Sequence, residues 1–181
     1  MMVAIAAVMT VQAQRSSFGL KVGANASNIT DLDTKLGYHL GALAHIHMAP
    51  SFALQPELVY SNQGGKYVVN NNTHNLNLNY VNIPVLFQYM IGTGLRLQTG
   101  PQVGFLTSVE DKVDGNETRN FTASDFKNTD FAWTFGVSYI GSSGLGVDGR
   151  YNLGLSNIND RGANTLKNNV AQVGLFYQFR R

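Results

Sequence analysis

The residues able to do chemistry are few in this chain, and they fall at alternate positions of apolar segments. In "VDGRYNLGLS", residues 147 to 156, Asp148 and Arg150 interleave with valine, tyrosine and leucine. Successive strand side chains point to opposite faces, so Asp148, Arg150 and Asn152 share one face while Val147, Tyr151, Leu153 and Leu155 share the other. Lys21, Glu57 and Arg96 occupy the same kind of position in their own segments. Acids and bases gathered on one face can serve acid–base chemistry or pair into a structural network. No nucleophile–base spacing accompanies them, and an unpartnered buried charge costs several kcal/mol. The expectation is a structural charge network of Lys21, Glu57, Arg96, Asp148 and Arg150, with no catalytic residue and no enzyme activity. His39, His45 and His47 also share a face, and imidazoles so placed can serve a metal. No carboxylate is fixed beside them by sequence, and neutral histidines bonded to neighbours are commoner, so no metal or other cofactor is expected.

The elements that position these residues follow from composition and pattern. The 181 residues suit one domain. Only 13% are charged, against roughly 25% in an ordinary soluble domain. The net charge of +2, with no basic cluster, argues against nucleic acid as a partner. Cysteine is absent, which excludes disulfides and thiolate metal sites. The opening "MMVAIAAVMTVQAQ" is an apolar run of signal-peptide length without a basic start, with Val11 and Ala13 placed for cleavage before Gln14. Residues 1–13 are therefore expected to be a signal peptide and 14–181 the folded domain.

Eight segments alternate apolar and polar residues with period two: near 18–26, 37–48, 52–61, 78–90, 95–107, 131–140, from 145, and 169–179. All five strand charges fall opposite the apolar face. The links "APS", "IGTG" and "GSSG" are short, whereas those after strands one, three, five and seven read as longer and polar, the longest from Ser108 to Asn128. Alternating short and long links are the mark of an up-and-down transmembrane barrel with tight periplasmic turns. That polarity sets Phe52, Tyr89, Tyr139 and Phe179 at the periplasmic rim and Tyr38, Tyr60, Phe105 and Phe131 at the external one, as two aromatic girdles. Pro56 and Pro84 each need an unpaired position, and a bulge is expected near Tyr80. The 108–128 link, with isolated Phe121 and Phe126, reads as a solvated external loop or a contact surface.

The stretches "LQPELVYSNQGG" (54–65), "LNYVNIPVLFQY" (78–89), "LQTGPQVGFL" (97–106), "GRYNLGLSNI" (149–158) and "VGLFYQF" (173–179) resemble the PorT-like outer-membrane β-barrel family typical of Bacteroidetes. The resemblance implies an all-β, eight-stranded antiparallel barrel of the OmpA/OmpX kind, in the bacterial outer membrane after signal cleavage. It implies little about activity. Chains of this kind usually end on the aromatic residue, whereas here Arg180 and Arg181 follow Phe179. Eight strands enclose a lumen that side chains can fill. The expectation is thus a plugged barrel that is structural, adhesive or accessory, with outer-membrane lipid and an outer-membrane protein complex as its surroundings. A small-solute channel is the alternative, followed by an outer-membrane enzyme and a soluble lipocalin-like barrel.

Overall fold

In the computed structural model, residues 16–30, 32–69, 72–113, 116–118, 125–159 and 166–179 are described. The expected signal peptide, Phe121 and the final Arg180–Arg181 lie outside them. Nine strands follow in order: β1 (Ser16–Ile29), β2 (Asp33–Ala49), β3 (Phe52–Val69), β4 (Asn72–Ile91), β5 (Leu95–Val113), β6 (Asn116–Thr118), β7 (Thr129–Ile140), β8 (Leu145–Gly154) and β9 (Asn168–Gln178). Eight of them close a ring in which every neighbour is antiparallel, running β4-β3-β2-β1-β9-β8-β7-β5 and back to β4. The short β6 only folds back on the top of β5. First and last long strands close the ring from Gly19 opposite Gln178 to Ile29 opposite Asn168.

The outer face is apolar around the whole ring. Leu20, Val22, Leu40, Leu58, Phe87, Leu97, Phe135, Val147 and Leu175 are all exposed there. Such a surface suits hydrocarbon and would associate in water. A soluble ligand-binding barrel would need these faces buried, and they are not. The inner face carries glutamine, asparagine, histidine, serine and the strand charges, all buried.

The short links are tight turns at one rim. Gly144 takes a φ of +90° and its N–H donates to Gly141 O at 3.1 Å, a backbone conformation that favours glycine. At the opposite rim the links from Val113 to Thr129 and from Gly154 to Asn168 are long as expected, but the other two are short. β1 and β2 are separated by three residues, and β3 ends at Val69 with β4 starting at Asn72. Here the strands themselves are long: β2 to β5 have 17, 18, 20 and 19 residues, whereas a tilted membrane strand needs about 9–11. The wall on that side stands well clear of the apolar belt, while β7 to β9, at 12, 10 and 11 residues, end close to it.

The ladders also absorb the irregular residues. Pro84 falls in the gap between Pro56–Val85 and Val59–Asn82 of the β3–β4 ladder, and Pro56 in the gap between Leu43–Glu57 and Ile46–Leu54 of the β2–β3 ladder, so each missing N–H lies where a ladder is open. On β5 the register shifts where Asn79 faces Ser108 and Tyr80 faces Leu106, which leaves Thr107 as the bulged residue.

Val22 lies mid-belt, 58% exposed and flanked by Leu40 and Leu175. Val22→Arg should lower unfolding free energy by about 2–4 kcal/mol. Urea titration of the refolded protein in lipid vesicles measures this, and a loss below about 0.5 kcal/mol would show that this face does not meet hydrocarbon.

Candidate functional site

Four of the five strand charges meet inside the barrel. Glu57 on β3 accepts from Arg150 on β8 through Nη1 at 2.7 Å and Nη2 at 2.8 Å. Lys21 on β1 places Nζ 3.4 Å from Glu57 and 3.1 Å from Asp148, and Arg150 Nε is 2.6 Å from Asp148 Oδ2. The forked contact is the strongest form of carboxylate–guanidinium pairing. Gln55 Nε2 adds a fourth donor to Glu57 at 2.7 Å. All four charged side chains are almost fully buried. Two cations and two carboxylates make the cluster neutral, which low-dielectric surroundings demand. Glycine makes room for it. A Cβ on Gly136 would come within 2.9 Å of Arg150 Cγ, and one on Gly174 within 2.9 Å of Asp148 Oδ1.

Arg96, expected as the fifth member, stands outside this quartet. Its Nη1 donates to Gln178 at 3.0 Å near the short-turn rim. It is the second residue of β5, just after a tight turn, so it sits at the end of the lumen. Sequence alternation assigns a face, not which residues meet across the ring.

His39 and His45 meet amide side chains. His39 Nδ1 is 2.7 Å from Asn25 Oδ1, which also accepts from Gln172 Nε2 at 3.0 Å. The ring of His39 fits because Gly23 faces it; a Cβ there would lie 2.6 Å from His39 Cε1. His45 Nδ1 is 2.9 Å from Gln88 Oε1, and Gln88 Nε2 donates to Gln98 at 2.8 Å. The His47 ring meets His45 edge-on, with centroids 4.6 Å apart. Among the described residues no three histidine or acidic side chains are grouped to hold a metal.

Above the external rim an apolar cluster joins the polar interior. Ile29, Leu76, Leu78, Tyr80, Phe126 and Ile158 form one buried cluster, with Leu32, Tyr67, Leu106, Val109 and Leu166 packed against it. Phe126 corrects the reading of 108–128 as a solvated loop. It pairs with Asn159 and is buried, while residues up to Val113 extend β5. The signal in the sequence is "HNLNLNYVN" (74–82), in which Leu76, Leu78 and Tyr80 have the same parity as the inward Asn82. The girdle positions are on the outer wall: Tyr38, Phe52, Tyr89, Phe105, Phe131, Tyr139 and Phe179 are exposed and Tyr60 is half-exposed. Phe52 and Tyr89 touch at one rim, with centroids 5.2 Å apart, and Tyr38 faces Tyr60 at 6.3 Å at the other.

Comparison with known proteins adds the following. Residues 10–160 match the family model described as outer membrane protein beta-barrel domain. No curated protein matches the chain. Among solved structures it is similar to Neisserial surface protein A, at 14% identity and a TM-score of 0.62, over 91% of this chain and 99% of that one. It is similar to Ail, the attachment invasion locus protein of Yersinia pestis, at 12% identity and a TM-score of 0.54, over 91% and 97%. A major outer membrane protein from Thermus thermophilus shows 12% identity and a TM-score of 0.53 over 91% and 99%. At these identities the likeness concerns the fold.

Glu57→Gln should cost about 3–5 kcal/mol of stability, because it strands a buried guanidinium and ammonium. Adding Arg150→Met should restore much of that loss, since the remaining Lys21 keeps Asp148. Equilibrium unfolding in vesicles reads both, and strictly additive losses would sink the coupling. Lys35, above the belt, is buried with Nζ 2.6 Å from Asn62 Oδ1. Burial first, and then Lys66, pull its ammonium down from 10.5 to about 8. Between those values the unfolded chain binds more protons, so stability should rise with pH from about 8 to 10.5 and be flat below. The difference between wild type and Lys35→Met isolates this slope, and no difference over that window refutes it.

Proposed function

We propose, from the premise that the chain belongs to the outer membrane protein beta-barrel domain family, that its lumen is plugged and that it works as a structural, adhesive or accessory subunit. It is an eight-stranded outer-membrane β-barrel, and within that family its five quoted stretches favour the PorT-like group. The observation that carries the plug is the neutral Lys21–Glu57–Asp148–Arg150 quartet, buried at the centre of the lumen. An ion crossing it would have to displace charge-assisted hydrogen bonds in a poorly hydrated space. An apolar cluster of Ile29, Leu76, Leu78, Tyr80, Phe126 and Ile158 packs above it at the external end.

With solute passage closed, the surface left for function is external. The tall β2–β5 wall rises above the lipid belt, where a rigid barrel can present it to a partner protein.

Planar-bilayer recording of the refolded protein tests the plug. The expected result is no steady unitary conductance for the wild type. Leu78→Ser combined with Glu57→Gln and Arg150→Gln should raise leak, since both closures are loosened. Persistent wild-type conductance would make the small-solute channel the correct reading. Co-purification from mild detergent, compared between the full chain and one with 114–124 shortened, tests the external contact. A partner retained equally by both would remove that segment from the proposal.

A further inference from the structure

The periplasmic mouth of the barrel holds a cavity of about 430 Å³, lined by His47, Ser51, Thr93, Arg96 and Gln178 among others. Arg96 is only 7% exposed there. Among the described residues it makes one hydrogen bond, from Nη1 to Gln178 Oε1 at 3.0 Å. Among the described residues no carboxylate lies within 4 Å of its guanidinium. The quartet deeper in the lumen offers no counter-charge, because Glu57 and Asp148 are already matched by Lys21 and Arg150.

The arrangement is held in place from both sides. Gln178 Nε2 donates to Ser17 Oγ, which fixes the amide so that its oxygen faces Arg96. Arg96 itself follows the Gly92–Gly94 turn, where Gly92 takes a φ of +60°. A guanidinium has five N–H donors in a planar fork, and one bond is assigned here. Such a fork matches two oxygens of a carboxylate or phosphate. Hydroxyls of Ser51 and Thr93 and the ring of His47 share the same cavity. One residue pair inward on the same face, Gln98 keeps an Nε2 donor with no partner among the described residues. The mouth is therefore a cationic, donor-rich pocket open to one side of the membrane.

We propose that this mouth binds a small oxyanion, a carboxylate or phosphate group arriving from the periplasmic side, with Arg96 gripping two of its oxygens and Gln178 orienting the fork. The group can come from a free anion or from an acidic lipid headgroup. The full barrel, labelled with 15N in neutral detergent micelles, is titrated with inorganic phosphate against chloride at constant ionic strength. The expected result is a saturable shift confined to the Arg96 and Gln178 side chains and the 92–96 backbone, with a roughly millimolar dissociation constant. Arg96→Gln should abolish it. Arg96→Lys, which keeps the charge and loses the fork, should weaken it by about tenfold. If Arg96→Gln does not fold, the lysine variant carries the test alone. A second arm compares vesicles of phosphatidylcholine with and without phosphatidylglycerol. The same shifts on adding phosphatidylglycerol, without a response to phosphate, assign the oxyanion to a headgroup and support the site. Linear shifts spread over exposed lysines, or equal binding by Arg96→Gln, overturn it, as does silence in both arms.

Discussion

Everything in this structure depends on closure of the ring between β1 and β9. In hydrocarbon no water is present to satisfy a backbone N–H or C=O, so an open sheet edge is untenable there. The pairing from Gly19–Gln178 to Ile29–Asn168 removes the edges that β1 and β9 would otherwise expose. Closure also separates the two faces completely. What lies outside is lipid-facing by geometry, and what lies inside must be solved with side chains from opposite walls. Glu57 on β3 thus meets Arg150 on β8, although neither strand is a neighbour of the other in the ring.

The inner solution changes with height, and the changes follow what surrounds the barrel. At belt level the outside is apolar, so polarity goes inward, as paired charges and amide–imidazole networks with glycine beneath them. Above the external girdle the outside meets water again. There the strands revert to the pattern of a soluble protein, with Leu76, Leu78 and Tyr80 inward and Asn75 and Asn77 partly outward. One continuous strand, β4, contains both patterns and passes between them within a few residues of Tyr80. The apolar cluster is then a small aqueous-type core built on top of a membrane-type barrel, supplied by β1, β3, β4 and β5 together with Leu32, Phe126, Ile158 and Leu166 between the strands.

The strands and their faces were legible because lipid enforces a strict period of two over about ten residues, as in Phe18, Leu20 and Val22 against Gly19, Lys21 and Gly23. The matched depth of Glu57 and Arg150 was readable from their distance to the tight turns. Arg96 was not separable from the other charges, because contact across a lumen depends on the stagger of the ring and not on parity along one strand. Strand height was hidden by asparagine. A stretch such as "NLNLNY" looks like a polar link if apolar residues are assumed to point outward, and becomes strand once the inversion is allowed. Phe126 carried no period at all. Only its place opposite Asn159 gives it a core to enter.

That inversion along β4 has a consequence for how the barrel sits. A uniform apolar cylinder could float up or down in its bilayer, but this one cannot. Moving outward by one residue pair, roughly 7 Å along a strand, would lift Val81 and Phe105 from the interface; moving inward would press the half-exposed Asn77 toward acyl chains. The sequence therefore fixes a draught line, and with it the thickness of bilayer the protein tolerates before mismatch strains it. The same logic limits how the chain can change. Above that line, insertion of two residues lengthens the wall, whereas a single one exchanges leucine for asparagine on both faces at once.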